Sequence, residues 1–210
     1  MPSTHEGSIL DVVPVMPVVV LDSLEHAVPV ARALVAGGLP AIELTLRTPV
    51  ALDAIRAIAS EVPEILVGAG TIVAPAQAKE ALSAGAQFLV SPGTTDTLAA
   101  AMQETGLPHL PGAATVSEVL RLLELGYSEM KFFPAEASGG ADFLKSIGSP
   151  VPQARFCPTG GITASSAASY LSLPYVGCVG GSWLTPADAL LDHDWDRIVR
   201  IATEATYLPT

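Results

Sequence analysis

Charged and aromatic side chains are scarce in this chain of 210 residues. Charged residues make up 15% of it and aromatic residues 5%, whereas 50% are hydrophobic. Lys and Arg number 10 against 21 Asp and Glu, which leaves a formal net charge of −11. This excess of negative charge argues against nucleic acid and against anionic membrane surfaces as main partners. It does not exclude an anionic metabolite, because a local site can oppose the global field.

Long apolar runs are missing, and cysteine is rare, with two in the chain. No segment reaches the roughly 18 apolar residues of a membrane span. The N-terminal sequence has no basic region followed by a long apolar region, so it predicts no signal peptide, and we expect a cytoplasmic protein. Cys157 and Cys178 each lie in an apolar run. In a reducing compartment we expect them to be buried free thiols rather than a disulfide.

Histidine is rare, and its spacing shows no metal-binding motif. The chain has four histidines, at positions 5, 26, 109 and 193, with no H-x-x-x-H pair and no carboxylate-flanked cluster. His109 lies on a predicted strand and is interpreted as a hydrogen-bonded core residue. The sequence also lacks the glycine-rich dinucleotide loop and the phosphate loop of nucleotide-binding enzymes. We therefore expect no metal ion and no cofactor.

The chain does have a regular alternation of short apolar runs with longer segments of helical periodicity. The predicted strands cover residues 15–20, 41–46, 65–69, 88–91, 109–110, 129–133, 155–158 and 175–179. The predicted helices cover residues 23–36, 50–61, 75–84, 96–104, 117–125, 141–147, 164–171 and 187–205. Strictly alternating strands and helices predict a parallel sheet in an α/β fold. Eight units favour one (β/α)8 TIM barrel domain over residues 1–210, with a doubly wound sheet as the alternative.

Charged side chains on two predicted strands would face the inside of such a barrel. Side chains alternate across a strand, so Glu43 and Arg47 share one face of the second strand, opposite its leucines. The outer face of a barrel strand packs on helices and is apolar. We therefore expect Glu43 and Arg47 to point inward, with Arg47 nearer the carboxyl end. The same rule places Lys131 and Phe133 of the sixth strand inside the barrel.

An interior lysine differs from the usual lysine, whose stem lies on apolar surface and whose ammonium group is in water. Burial and the nearby Arg47 both favour the neutral amine of Lys131. A neutral amine attacks carbonyl carbon and can form a Schiff base, and the resulting iminium is an electron sink for C–C cleavage. Such a reaction also needs a group that moves protons, and Glu43 is the available carboxylate.

Glycine-rich turns follow the last two predicted strands. They read "PTGG" at residues 158–161 and "GGSW" at residues 180–183. Barrels often bind phosphate at this place through backbone N–H groups and a helix N-terminus. Gly160, Gly161, Gly180 and Gly181 allow close approach of the backbone, and Ser182 adds a hydroxyl group. These turns predict a phosphorylated small-molecule ligand.

Five segments, "AIELTLRT", "VGAGT", "MKFFPAE", "RFCPTGGI" and "GGSWL", match a known family. They resemble the 2-keto-3-deoxy-6-phosphogluconate (KDPG) aldolase and 4-hydroxy-2-oxoglutarate aldolase family over nearly the whole chain. The resemblance implies a class I aldolase on a TIM barrel that works without metal. It also implies a homotrimer in the Entner–Doudoroff pathway that releases pyruvate from a phosphorylated keto acid.

The resemblance further implies roles for individual residues. Lys131 falls on the Schiff-base lysine and Glu43 on the proton-shuttling glutamate. Arg47 and Thr71 fall on the positions that hold the pyruvyl carboxylate. Gly160, Gly161 and Ser182 fall on phosphate contacts, with Gly181 beside them. Pro92, Phe133 and Thr159 fall on residues that line the substrate pocket.

Two other functions stay open at this point. A sugar-phosphate isomerase or epimerase could use the same barrel and phosphate site with acid–base residues only. A non-catalytic barrel could simply bind phosphometabolites. Within the aldolase interpretation, the gluconate-derived substrate, its galactonate-derived epimer at C4 and 4-hydroxy-2-oxoglutarate are all candidates, because sequence motifs do not fix pocket geometry.

Overall fold

The computed structural model describes residues 7–209, which form an α/β fold on short parallel strands. The strands are β1 Val15–Val19, β2 Ala41–Thr45, β3 Leu66–Gly70, β4 Phe88–Val90, β5 His109–Leu110, β6 Gly112–Ala113, β7 Glu129–Phe132, β8 Arg155–Pro158 and β9 Val179–Gly181. Every pairing between these strands is parallel. Most strand residues are buried, as expected where helices cover a parallel sheet.

Helices follow the strands along the described chain. They are α1 Ala27–Ala36, α2 Ala51–Glu61, α3 Pro75–Ser83, α4 Asp96–Gln103, α5 Val116–Glu124, α6 Gly140–Gly148, α7 Ala167–Leu171, α8 Ala187–Leu191 and α9 Trp195–Thr206. Every helix among residues 7–209 is too short or too polar to span a bilayer.

Local sequence explains where several helices begin. The Thr95 hydroxyl accepts a hydrogen bond from the backbone N–H of Leu98 at the start of α4. At the start of α5, Thr115 accepts from the N–H of Glu118, and the Glu118 carboxylate accepts from the N–H of Thr115. This reciprocal capping box satisfies two N–H groups that have no partner within the helix. Both caps stand between a strand and the next helix, so they fix the turns at the carboxyl ends of the strands.

The strand order is consecutive, and the sheet curls. One sheet has the order β5-β4-β3-β2-β1-β9, and a second has the order β6-β7-β8. Strands β5 and β6 are separated by Pro111 alone, and the Pro111 carbonyl accepts the backbone N–H of Lys131 on β7 at 3.0 Å. A parallel bridge between Thr159 and Gly180 joins the end of β8 to β9. A doubly wound sheet would reverse its order within β1–β5, and this sheet does not.

Two predicted elements near the C-terminus are wrong in their bounds. The predicted strand at residues 175–179 contributes only its last residue to β9, which pairs with Val15, Met16 and Pro17 of β1. The predicted helix at residues 187–205 is interrupted between α8 and α9, where His193 has a left-handed φ of 54°. Neither glycine nor proline marks that interruption; the signal that was missed is Asp194, whose carboxylate accepts the N–H of Arg197 and caps α9.

Aromatic and aliphatic side chains fill the core between sheet and helices. Phe88, Phe132, Phe156 and Tyr170 are among the largest fully buried side chains. Phe132 of β7 stacks on Phe143 of α6 with ring centroids 5.2 Å apart. Cys157 and Cys178 are buried free thiols, as predicted. Phe132 therefore faces the helices, and its neighbour Lys131 must face the opposite side of β7.

Candidate active site

A buried ion pair lies inside the curled sheet. The Lys131 Nζ donates a hydrogen bond to Glu43 Oε1 at 3.0 Å. The side chains of Lys131 and Glu43 are only 4% and 2% exposed. Strand alternation had placed both residues in the interior, and for these two the prediction of burial is confirmed. Two opposite charges at hydrogen-bond distance away from water can exchange a proton with little movement.

The backbone fixes both ends of this pair. Lys131 lies opposite Gly112 of β6 and Cys157 of β8 in the strand register. Glu43 lies opposite Val18 of β1 and Gly68 of β3. Each residue is therefore held from both sides by the sheet, and only the side-chain torsions remain to be positioned by packing.

Glycine at position 70 makes room for the carboxylate. A Cβ atom placed on Gly70 would lie 2.6 Å from Glu43 Cγ and would overlap Oε1. Real Cβ atoms do not approach other atoms so closely, so any larger residue at position 70 would displace Glu43. Sequence reasoning missed this role of Gly70. The signal was the "GAG" on the strand beside "ELTLR", where a strand interior gains nothing from glycine unless another group comes close.

Arg47 and Thr71 meet at the carboxyl ends of β2 and β3. The Arg47 Nε donates to the Thr71 hydroxyl at 3.2 Å. Strand β2 ends at Thr45, so Arg47 lies in the turn after it and is exposed, not inside the sheet as strand alternation predicted. Thr71 has a φ of 59°, which is uncommon for a residue other than glycine. Together they place a cation and a hydroxyl group at the open end of the interior.

Phe133, Thr159 and Gly160 form the next part of the site. The Lys131 Nζ lies 5.4 Å from the centroid of the Phe133 ring. A Cβ on Gly160 would lie 3.2 Å from that same ring, so the turn after β8 packs on Phe133. Thr159 is buried, and a Cβ on Gly180 would come within 2.7 Å of its Cγ2 atom. Glycine at 160 thus lets the turn after β8 pack on Phe133, and glycine at 180, which lies in β9 and not in a turn as predicted, makes room for Thr159.

The other predicted residues lie at the same end of the strands but make different contacts. Gly161 follows Gly160 with a φ of 81°, Gly181 ends β9, and Ser182 is exposed just beyond it. Pro92 follows β4, and its backbone packs against Gly112 of β6. The close contact of Pro92 is therefore with the strand beside Lys131 and not with Lys131 itself.

Two comparisons with known sequences bear on this site. The family model of KDPG and KHG aldolases matches residues 7–201 of the chain, a range that contains both Lys131 and Glu43. The chain belongs to the KDPG and KHG aldolase family. It is 55% identical over 202 residues to the KHG/KDPG aldolase of Escherichia coli strain K12, covering 96% of this chain and 95% of that protein. It is 54% identical, with the same coverage, to the 2-dehydro-3-deoxy-phosphogluconate aldolase of Dickeya dadantii strain 3937.

Solved structures of the KDPG aldolase family have the same fold. A KDPG aldolase from Legionella pneumophila, with pyruvate captured as a covalent carbinolamine intermediate, superposes with a TM-score of 0.92 at 45% identity. It covers 94% of this chain, and this chain covers 96% of it. The enzyme of Zymomonas mobilis ZM4, solved with 3-phosphoglycerate, gives 0.90 at 46% identity, with 95% and 94% coverage.

Three histidines, His26, His109 and His193, lie outside this site, and one expectation about them is wrong; His5 lies outside the described residues. His109 is half-buried and hydrogen-bonded to the Leu107 carbonyl and the Tyr127 hydroxyl, as predicted for a core histidine. Burial lowers its pKa below the usual 6.5. His26 and His193, however, are brought together by the fold, with their Nε2 atoms 3.1 Å apart. Sequence spacing predicted no histidine cluster.

Proposed function

We propose that this chain is a Schiff-base (class I) aldolase that cleaves 2-dehydro-3-deoxy-6-phosphogluconate to pyruvate and D-glyceraldehyde 3-phosphate. Membership of the KDPG and KHG aldolase family makes it a carbon–carbon lyase. The observation that carries the residue assignment is the buried hydrogen bond between Lys131 Nζ and Glu43 Oε1. We assign Lys131 as the nucleophile and Glu43 as the group that moves protons.

The hydrogen bond between Lys131 and Glu43 supports a sequence of proton transfers in which Glu43 is the acceptor or the donor each time. Glu43 takes a proton from Lys131, and the neutral amine adds to the C2 ketone to give a carbinolamine. Glu43 then protonates the departing hydroxyl group, so water leaves and an iminium forms. The carboxylate next removes the proton of the C4 hydroxyl group, and the C3–C4 bond breaks with its electrons entering the iminium. The aldehyde departs, and protonation and hydrolysis of the enamine release pyruvate and restore Lys131.

Binding of the substrate would involve the groups around the open end of the sheet. Arg47 and Thr71, joined by their hydrogen bond, are assigned to the carboxylate of the pyruvyl half. Gly160, Gly161, Gly181 and Ser182 are assigned to the phosphate, where backbone N–H groups bind an anion without added positive side chains. The remaining assignments line the pocket between these two anchors: Pro92, Phe133 and Thr159.

The finer description of the fold also belongs to this proposal. We take β5 and β6 as one barrel strand interrupted at Pro111, which gives eight strands and closes the sheet through the Thr159–Gly180 bridge. The consecutive strand order and the position of the site at the carboxyl ends support a (β/α)8 barrel. That residues 1–210 form one domain, that three copies associate, and that the enzyme works in the Entner–Doudoroff pathway in the cytoplasm stay predictions.

Borohydride trapping tests the assignment of the nucleophile. The chain has only three lysines, Lys79, Lys131 and Lys145, so few side-chain amines compete. Reduction in the presence of pyruvate should leave one covalent adduct per chain, and peptide mapping should place it on Lys131. The matched control is the double variant K79R/K145R, which should be labelled and active as before. An adduct elsewhere, or an active enzyme that gives no adduct, would contradict the proposal and favour isomerase or epimerase chemistry.

Substrate range needs a separate measurement. We expect the chain also to cleave 4-hydroxy-2-oxoglutarate to pyruvate and glyoxylate, but with lower kcat/KM, because that substrate has no phosphate to occupy the glycine-rich turns. Comparing kcat/KM for this compound, the gluconate-derived substrate and its C4 epimer would rank the three. Equal values with and without phosphate would argue against the assigned phosphate site.

A further inference from the structure

A second cluster of chemistry-bearing side chains lies outside the aldolase site. It consists of Glu25 and His26, just before α1, and of His193, in the link between α8 and α9. The His26 Nε2 is 3.1 Å from the His193 Nε2 and 3.7 Å from the Glu25 Oε1. One ligand atom from each of the three residues lies within 4.8 Å of the other two. No step of the aldolase reaction uses any of them.

The distances suit a small transition-metal ion. Two nitrogens bound at about 2.0–2.1 Å to a tetrahedral zinc ion stand roughly 3.3 Å apart, which is close to the separation of the two Nε2 atoms. Two imidazoles and one carboxylate are a common three-residue set for such ions, and water completes the coordination. A magnesium or calcium ion would instead require mostly oxygen ligands. The donor atoms therefore point to zinc or nickel rather than to a hard cation.

The surroundings support a cation at this place. Asp192 and Asp194 flank His193 directly, and the chain as a whole has a net charge of −11. His26 is buried, whereas Glu25 and His193 are exposed, so an ion could enter from solvent and be held from the protein side. His193 also keeps a left-handed backbone with a φ of 54°. That conformation costs free energy for a residue with a side chain, and it aims the imidazole at His26.

We propose that Glu25, His26 and His193 bind one divalent transition-metal ion, of which zinc is the representative, and that the ion joins the start of α1 to the α8–α9 link. Helices α1 and α9 already pack on each other, and Gly37 of α1's C-cap touches Ala202 of α9 closely enough that a Cβ would overlap it. The ion would fix the other end of the same helix pair. Binding should therefore stabilise the folded chain without taking part in carbon-bond chemistry.

Titration of zinc into the metal-stripped full chain tests the site by calorimetry. We expect one ion per chain, and a rise of about 100-fold in the folding equilibrium constant when free zinc is a hundred times its Kd. H193G removes a ligand and suits the positive φ, so it should fold normally and bind zinc at least 10-fold more weakly. E25Q should also weaken binding, whereas E61Q, a matched loss of an exposed carboxylate on α2, should change Kd less than twofold.

Tryptophan fluorescence gives an independent readout. Trp195 stacks on His193 with ring centroids 5.6 Å apart and meets His26 edge-on at 5.9 Å. The chain has two tryptophans, so W183F leaves Trp195 as the reporter. Nickel should quench its fluorescence saturably, and H193G should abolish the saturable part. If zinc does not bind saturably, or if H193G and E25Q bind it as tightly as the parent, the two imidazoles share only a hydrogen bond and the proposal is wrong.

Discussion

Strand β7 carries two ion pairs on one face, two residues apart, and they differ in nearly every physical respect. Lys131 pairs with Glu43 in the interior, with both side chains almost completely buried. Glu129 pairs with Arg155 at 3.1 Å near the amino end of the strand, where the side chains are 25% and 38% exposed. Arg155 also binds Asp11, and Ser8 donates to Glu129 at 2.5 Å, so the outer pair belongs to a small network.

The difference in burial between the two ion pairs indicates why the inner one is present. Removing two charges from water is costly, and an apolar pair of similar volume is often as stable or more stable. The half-exposed network is screened by solvent and contributes modestly to folding, and its desolvation penalty is smaller than that of the inner pair. The inner pair is therefore best explained by its chemistry and the outer one by its role in holding the N-terminal segment against β7 and β8.

The largest expected effect separates the two pairs by activity. K131M removes the proposed nucleophile and should lower kcat/KM on the order of 10⁴-fold or more, because the other two lysines, Lys79 and Lys145, are exposed. R155M, at the other end of the same sheet, should leave kcat/KM within about twofold. Steady-state kinetics on the gluconate-derived substrate would measure both. Substantial turnover by K131M would contradict the explanation of the inner ion pair by its chemistry.

Neutralising the carboxylate should have the next largest effect. E43Q keeps the size of the side chain but cannot accept protons, so kcat should fall about 10²–10⁴-fold. The effect on KM should be small, because the role proposed for Glu43 is proton transfer and not holding the substrate. A change confined to KM would instead make Glu43 a binding residue.

Stability measurements test whether the inner ion pair stabilises the folded chain. K131M alone leaves the Glu43 carboxylate buried without its partner, which should cost about 3–5 kcal/mol of unfolding free energy. The double variant K131M/E43L should recover most of that loss while remaining inactive. Urea unfolding would measure both variants. If the double variant were as unstable as the single one, the inner pair would be a stabilising element after all.

Crowding the carboxylate should cost less. G70A places a methyl group where Glu43 stands, and overpacking of this kind typically costs about 1–3 kcal/mol. It should also lower kcat by moving the carboxylate away from Lys131. G93A is the matched control, because a Cβ on Gly93 meets no atom within 4 Å. Thermal unfolding and kinetics together would show whether the residue at position 70 affects both stability and kcat.

The smallest expected effect concerns the outer network and pH. The hydrogen bond from Arg155 lowers the pKa of Asp11 below its usual 3.8, against a smaller opposing effect of burial. The resulting stabilisation is present above pH 3.8 and is lost as pH falls through the lower pKa of the folded state. Because Asp11 is largely exposed, we expect it to be less than about 1 kcal/mol.

Two variants check this pH window. D11N should reduce the free energy of unfolding by a small amount near neutral pH, and R155M by more, because Arg155 also pairs with Glu129. The part of each difference that comes from Asp11 should shrink below pH 3.8, as Asp11 becomes protonated in the chains that have it. Acid unfolding curves would measure it. A difference that persists unchanged at low pH would mean that packing of the arginine stem, and not its charge, holds the segment.

Strand alternation was enough to predict the inner pair but not its surroundings. The period of two placed Glu43 and Lys131 on the inward faces of two strands, and the fold confirms both. The same rule failed for Arg47, because β2 ends at Thr45 and the period has no meaning in a turn. Gly70 could not be assigned, because its purpose depends on a carboxylate from the neighbouring strand. Alternation is a property of one strand, whereas these contacts depend on two.

Long-range contacts between loops could not be predicted from the sequence for a related reason. The meeting of His26 with His193 joins residues at opposite ends of the chain, and it depends on a left-handed residue with no glycine to mark it. The hydrogen bonds that Arg155 donates to Ser8 and Asp11 span a similar distance in the chain. The packing of α1 on α9 brings the two histidines within range, and the fold places residues 8–11 beside Glu129 of β7 and Arg155 of β8.

The backbone of Lys131 is paired with strands on both sides, and this pairing limits where along β7 a lysine could be placed in evolution. A shift of one residue along β7 would turn the amine toward the helices, so the nearest alternative inward positions are those of Glu129 and Phe133. Each lies about 7 Å away, which is two residues of a strand. Relocation of this lysine along β7 therefore comes only in steps of about 7 Å. Adaptation to new keto acids is then left to the turns at the strand ends.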